Sequence, residues 1–225
     1  MSISPRLSIF ALLAACEGAP APAPPAEPAA PPAPAAPPAC AWTADPAGVT
    51  VGWTAFKFTE RTGVGGGFSK VQIGGASTAD AAWKALNGLT FEIEAASVDS
   101  KNPDRDQKIT QQFFGTMTDT AVLKGSLSVT GPDAATLSVT MNGATHSVPV
   151  TLSAAEGDAW ALRGQLDVAT WGASAAVDAL NKVCEDLHKG ADGVSKLWSE
   201  VEVQATIPLK KDCGAAPAAP AAPAP

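Results

Sequence analysis

Cys184 and His188 stand four residues apart in a stretch with helical periodicity. On one helix face a thiol and an imidazole at that spacing could hold a metal ion or a haem. A structural reading is stronger. Cys184 continues an apolar stripe with Val177, Leu180 and Leu187, and His188 falls in the last turn, where a cation suits the helix dipole. Arg105 and Asp106 follow a strand and open a helix, which locally implies first-turn charge and an ion pair. The cluster Gly63-Val-Gly-Gly-Gly67 opens no convincing helix, so it reads as a bent turn rather than a phosphate cradle. His146 is either the polar group of a pocket or a strand-end residue near a mouth. The chain has two His and no Tyr, and carries no nucleophile elbow, nucleotide-phosphate loop or paired-His zinc motif. No catalytic residue, metal ligand or resident cofactor is therefore expected, and the protein is read as a non-enzyme.

The elements that would position these groups begin after an address segment. Residues 1–15 carry one Arg and then a short apolar run, Leu7 to Ala15, too short to span about 30 Å of hydrocarbon. A basic residue, an apolar stretch and small residues form a secretory signal. Here the small residues run into cysteine, Leu13-Ala-Ala-Cys16, which resembles the lipobox of bacterial lipoproteins. That resemblance implies cleavage before Cys16 and acyl chains, palmitate among them, on the new N-terminus. Residues 17–41 are almost all Ala and Pro, a composition that favours extended polyproline II and a reach of about 75 Å. The expected layout is a signal peptide (1–15), a lipidated Cys with a stalk (16–41), a globular domain (42–211) and a disordered Ala/Pro tail (212–225). The net charge of −7 argues against nucleic acid as a partner and against docking on anionic lipid by charge alone. The membrane would be met through the anchor.

Residues 42–211 show period-2 alternation eight times. Val49, Val51, Trp53 and Ala55 share one face of a first strand, and 68–73 forms a short second one. Leu89 to Ala95, Ala121 to Val129, Leu137 to Met141, His146 to Leu152, Trp160 to Val168 and Leu197 to Leu209 follow. Asn142-Gly143 between the fifth and sixth is a strong hairpin signal. One apolar face per strand marks antiparallel structure, and eight such strands suggest an all-β barrel or sandwich. Helical pieces are expected over 77–86, 103–114 and 174–189, the second with Asn102 as N-cap before Pro103.

The stretch Ala95-Ala-Ser-Val-Asp-Ser-Lys-Asn-Pro-Asp-Arg-Asp-Gln-Lys-Ile-Thr-Gln-Gln-Phe-Phe114 resembles the signature of the YceI-like family. That signature is Ser-hydrophobic-Asp ending a strand, then Arg-Asp, then a Phe-Phe pair. Val51 to Phe68 is similar to the family's opening strand and Gly-x-Phe turn, and Asn142 to Val148 to its Gly-x-Thr-x-x-Val hairpin. Two features depart from it. Gly115 to Thr120 replaces the usual Pro-x-x-x-Phe, and residues 77–88 look inserted. The resemblance covers roughly residues 44–210. It implies an eight-stranded, up-and-down lipocalin-like barrel, placed in the bacterial envelope and binding polyisoprenoid chains such as quinone tails. With the lipobox, it implies anchorage at the outer membrane facing the periplasm.

The ligand-lining set implied by this mode and by strand alternation is Trp53, Phe58, Phe68, Phe91, Ile93, Phe113, Phe114, Val139, Val150 and Trp160. A filled barrel serving as an envelope interaction or spacer module is the alternative, and a homodimer stays open. In an up-and-down barrel the first and last strands are antiparallel neighbours, so Cys40 and Cys213 could be bridged. A bridge using Cys184, or none, remains open too, since a buried free thiol would also suit that position.

Overall fold

The computed structural model describes residues 40–214. The expected signal segment, Cys16, the linker before Cys40 and the tail after Gly214 lie outside the described residues. Twelve strands appear in chain order: β1 (Cys40–Ala44), β2 (Thr50–Lys57), β3 (Thr62–Phe68), β4 (Val71–Gly74), β5 (Thr78–Ala79), β6 (Thr90–Glu94), β7 (Val98–Asp99), β8 (Val122–Val129), β9 (Ala134–Met141), β10 (Ala144–Ala155), β11 (Ala159–Asp167) and β12 (Leu197–Cys213). Two α-helices, α1 (Pro103–Lys108) and α2 (Ser174–Val183), lie at one end. Alternation places the core. In β10, buried Val148, Val150 and Leu152 alternate with exposed Ser147, Pro149 and Thr151.

The sheet is antiparallel throughout, in the order β4-β6-β8-β9-β10-β11-β12-β2-β3-β7. This path has ten strands, not the expected eight, because β3 runs where a bent turn was expected and β7 lies beyond the end of the expected third strand. β4 follows β3 after only Ser69 and Lys70, and β7 follows β6 after the turn Ala95–Ser97. The ends of the path are thus continuations of strands already in it, and the sheet curls until they meet. The seam is short: four residue pairs join β4 to β6, and two join β3 to β7. Ser97 fills the gap between them. Its carbonyl accepts from Ser69 N at 2.9 Å, its hydroxyl accepts from Lys70 N at 3.1 Å, and that hydroxyl donates to Glu94 O at 2.7 Å. A side chain here satisfies backbone groups that a continuous ladder would have paired.

Other expectations are corrected locally. Gly63 to Gly67 is not a bent turn but most of β3, paired along β2. The stretch 77–86 is not one helix: it holds β5 and a single 3₁₀ turn, Trp83–Leu86. This Ala-rich run is too short to nucleate a helix on its own. The helix expected over 103–114 is α only to Lys108. It then widens into a π turn, Ile109–Phe113, and tightens at Phe114–Thr116. The helix expected to reach residue 189 stops at Val183, and Glu185–Leu187 forms a separate turn. Glu185 and Asp186 would place negative charge at the negative end of a continuing helix.

β12 is long enough to serve three partners: β11 and β2 over most of its length, and β1 over its last five residues. β1 has no counterpart among the expected strands. It pairs Cys40 directly with Cys213, and these two form a disulfide, while Cys184 is free and buried. At this end the 3₁₀ turn packs on β1 and β8, with Leu86 fully buried and Leu89 beside it. Residues 77–89 thus plug the disulfide-bearing end, and the helices occupy the other.

Candidate ligand-binding site

Two aromatic walls of the interior rest on glycines. Trp53 is paired with Gly66 across β2 and β3, and its indole donates to Gly67 O at 3.3 Å. Phe91 is paired with Gly125 across β6 and β8. With no Cβ at either glycine, each ring can lie close against the neighbouring strand.

Two apolar chambers lie inside the barrel. The upper one, of about 150 Å³, is roofed by the helical end through Ile109, Phe113, Phe114, Val177 and Leu180. The lower one, of about 140 Å³, is lined by Phe91, Ile93, Ile73, Leu127 and Ile207, with Leu89 at its floor. Both share the walls Trp53, Phe68, Leu123, Val139, Leu166 and Val203. No charged side chain lines either chamber. Each volume alone is about half of the ~300 Å³ at which small-molecule pockets begin, and the two together reach it. An occupant of useful size must therefore extend through both, which suits a slim chain and not a bulky ring system.

The interior gathers seven of the ten residues expected to line it: Trp53, Phe68, Phe91, Ile93, Phe113, Phe114 and Val139. Phe68 and Phe114 lie 6.2 Å apart by ring centroids, and Phe113 meets Phe114 edge-on at 5.0 Å. Three others stand elsewhere. Phe58 follows β2 with φ of 63°, its ring under the Lys57 ammonium and its carbonyl accepting from the Trp198 indole at 2.7 Å. Val150 is buried, but it fills the space over Gly164, where a Cβ would lie 2.7 Å from its Cγ1. Trp160 packs on the core at the disulfide-bearing end, opposite Ile207. Leu123, Leu166 and Val203 are wall residues that the same alternation marks and that the expected set omitted. Ile109, Val177 and Leu180 carried no comparable signal, because a helix face does not reveal which sheet it covers.

Above the upper chamber a third cavity, of about 370 Å³, opens between β2, α1 and α2. It shares Trp53, Ala55, Ile109, Leu180 and Leu197 with the chamber below. Its remaining walls are mixed: Lys57, Arg105, Lys108, Asp104, Asn102 and His188 stand beside Phe56, Val64, Cys184 and Leu187. The seam beside it is open, since Thr62–Gly66 of β3 has β2 on one side and no strand on the other. Asn181 Oδ1 accepts from Ser195 Oγ at 3.2 Å and lies 2.9 Å from His188 Nδ1. A carbonyl oxygen only accepts, so Nδ1 carries the proton. Burial holds the His188 pKa below its ordinary value, and the nearby Lys57 and Lys108 act in the same direction. Cys184 also borders this cavity, yet among the described residues no group of three or more His, Cys, Asp or Glu could hold a metal ion. His146 lines none of the three cavities. Its ring packs edge-on against Trp171 at 5.2 Å, and it is the third residue of β10.

Arg105 and Asp106 do not point at a reacting group. They hold the chain reversal after β7. Asp106 Oδ1 accepts from both Ser100 N, at 2.9 Å, and Ser100 Oγ. Arg105 donates through Nε to Ser100 Oγ at 2.7 Å and through Nη2 to Ser100 O at 2.6 Å. Ser100 is buried. This knot fixes α1, and with it the two Phe rings over the upper chamber.

A curled antiparallel sheet with an apolar interior, capped by helices and open through a polar mouth, defines a lipocalin-like barrel. The chain belongs to the YceI-like domain family, whose model matches residues 42–209. No curated protein sequence matches the chain. Among solved structures it is similar to a polyisoprenoid binding domain from Saccharophagus degradans implicated in plant cell wall breakdown. The TM-score is 0.54 at 10% identity, over 77% of this chain and 98% of that one. It is also similar to Burkholderia cenocepacia BcnA, with a TM-score of 0.45 at 16% identity, over 74% of this chain and 99% of the other.

Proposed function

We propose that the protein carries or stores an apolar polyisoprenoid-like lipid in the barrel interior, as a non-catalytic lipoprotein of the bacterial envelope. The observation that carries this reading is the pair of uncharged chambers sharing six wall residues beneath one mouth. A fully packed interior would favour a spacer module instead. The Saccharophagus degradans neighbour, a polyisoprenoid binding domain, supports the same ligand class. The energetics are sufficient. Each buried methylene contributes about 0.8 kcal/mol, so a chain of several isoprene units exceeds the ~8 kcal/mol of a micromolar complex even after association costs. The lipid on Cys16 and the Ala/Pro stalk would hold the barrel near the outer membrane on its periplasmic side.

Mass spectrometry of organic extracts from the purified protein tests the reading. A bound prenyl lipid is expected in the wild type and is expected to disappear in Val139→Phe, which fills the waist shared by both chambers. A lipid-free wild type, or full retention in a folded Val139→Phe variant, would overturn it. Anchorage is tested separately: Cys16→Ser should move the protein from the membrane fraction to the aqueous one, and unchanged fractionation refutes it.

A further inference from the structure

The lower chamber is closed at its far end by a segment that forms no wall of the barrel. Residues 77–89 leave the sheet after β4, pair with β1 through β5, and rejoin it at β6. Leu89 of this segment lines the lower chamber and is 3% exposed. Leu86, whose carbonyl accepts from Leu89 N at 3.4 Å, is fully buried together with Ala85. The segment is tied to β8 along its end. Leu127 N donates to Leu89 O at 2.8 Å, Gly88 N donates to Leu127 O at 2.9 Å, and Val129 N donates to Asn87 Oδ1 at 2.9 Å. The turn Trp83–Leu86 also packs on β1, and β1 is held to the end of β12 by its ladder and by the Cys40–Cys213 bridge. Leu89 is thus clamped from two sides of the barrel. A barrel open at both ends lets an apolar chain of any length thread through it, whereas a blind one limits the chain.

From this arrangement, and resting on the lipid reading above, we infer that Leu89, backed by the turn Trp83–Leu86, is the stop that sets the length of apolar chain the interior accepts. The length follows from β12. Leu197 borders the upper chamber and the mouth, Ile207 lines the lower chamber, and the two stand ten positions apart on that strand. At about 3.3 Å per residue this is ~33 Å along the strand, or about 25 Å along the axis of a barrel whose strands tilt by roughly 40°. An extended peptide residue spans about 3.5 Å over three backbone bonds, so an isoprene unit, with four, spans about 4.5 Å. The interior therefore houses at most about five units in line. Any further unit stays outside the apolar walls.

A competition among prenols of different length tests the stop. Phosphatidylcholine vesicles carrying equal amounts of farnesol (three units), geranylgeraniol (four) and solanesol (nine) are incubated with the purified Cys16→Ser full chain, which has no thiol to carry an acyl anchor at that position. The protein is then separated, and its organic extract is analysed by mass spectrometry. Farnesol and geranylgeraniol are expected at similar enrichment. Solanesol is expected at less than about a thousandth of it, because each unit left in water forfeits at least about tenfold in binding. Leu89→Ala lengthens the interior and should raise the solanesol share at least about tenfold. Leu89→Phe shortens it and should deplete geranylgeraniol relative to farnesol. The comparison in the chain with Leu89 intact decides the stop without these variants. Solanesol enriched as strongly as geranylgeraniol overturns the stop and leaves the lipid reading intact. A cut-off that neither variant moves, in protein that still melts cooperatively, overturns Leu89 as its seat. If no prenol is extracted, both readings fall.

Discussion

Trp53 and Gly66 face each other across β2 and β3 so closely that a Cβ on the glycine would lie 2.4 Å from the indole ring. Phe91 and Gly125 repeat the relationship, with 2.4 Å to the ring and 1.9 Å to Ser138 O. In both pairs a large ring takes the space of a side chain its partner lacks. The interior is therefore walled by aromatics without being filled by them, and this leaves the room that the two chambers occupy.

Gly66→Ala should displace Trp53. The atom it meets belongs to the body of a ring and not to a flexible end, and Asp99 O limits retreat at 3.1 Å. Overpacking of this kind costs roughly 1–3 kcal/mol. Thermal melts should show the loss, and lipid content should fall with it because Trp53 lines both chambers. A variant as stable as the wild type with unchanged lipid content would refute this.

Asp106→Ala should leave the buried Ser100 N–H and hydroxyl without their acceptor, at a cost of about 1–3 kcal/mol. Asp106→Asn keeps an acceptor oxygen and should be milder. Denaturant titration of both variants checks the order, and equal losses would show that charge, not acceptance, is what the site needs.

Removing the Cys40–Cys213 bridge opens a link across 173 residues. In the chain-entropy model such a link stabilises by up to about 5 kcal/mol. The double Ser variant should melt lower than the wild type, and reductant should lower the wild type alone. Since Cys184 is free, Cys184→Ala should leave the response to reductant intact. Non-reducing peptide mapping that links Cys184 to either of the others would contradict this pairing.

His188 should make stability depend on pH in one direction. Its pKa in the folded state lies below the ordinary 6.5, so the unfolded chain binds more protons between the two values. Stability is then unaffected by this group above pH 6.5 and falls as pH drops through 6.5 toward the folded-state pKa. In His188→Gln this part of the acid sensitivity should vanish. Melting curves of both proteins between about pH 5 and pH 8 decide it. Parallel profiles across that window would rule the effect out.

How much was legible in the chain is clearest at particular residues. Asn142 and Gly143 announced a hairpin, and both adopt positive φ, 50° and 70°, joining β9 to β10 with Leu137 opposite Val148 and Val139 opposite His146. Alternation in β10 and β12 identified the inward faces, and the Ser-Val-Asp/Arg-Asp/Phe-Phe stretch identified the family. The expected count of eight strands missed the break at Ser69-Lys70 and the turn Ala95–Ser97. Both are bridged by one serine hydroxyl, a contact between residues almost thirty positions apart, which no local pattern encodes. β1 was missed because its five residues follow an Ala/Pro run and find their strand only against the far end of β12.

Strand alternation alone determined which residues turn inward, since side chains in a strand switch faces at every step. It also set the low charge of the interior and, through the hairpin turn, one local register. Only the tertiary structure decided which inward residues meet. Phe91, Val150 and Trp160 carry the same sequence signal, yet Phe91 lines a chamber, Val150 fills the gap over Gly164 and Trp160 packs at the closed end. Likewise Lys57, on β2, and Lys108, on α1, come to one mouth because the Arg105–Asp106–Ser100 knot folds α1 back over the barrel. Such meetings depend on the stagger of strands around a closed sheet and on where helices dock. Contacts across the barrel set both, and neighbours along the chain do not.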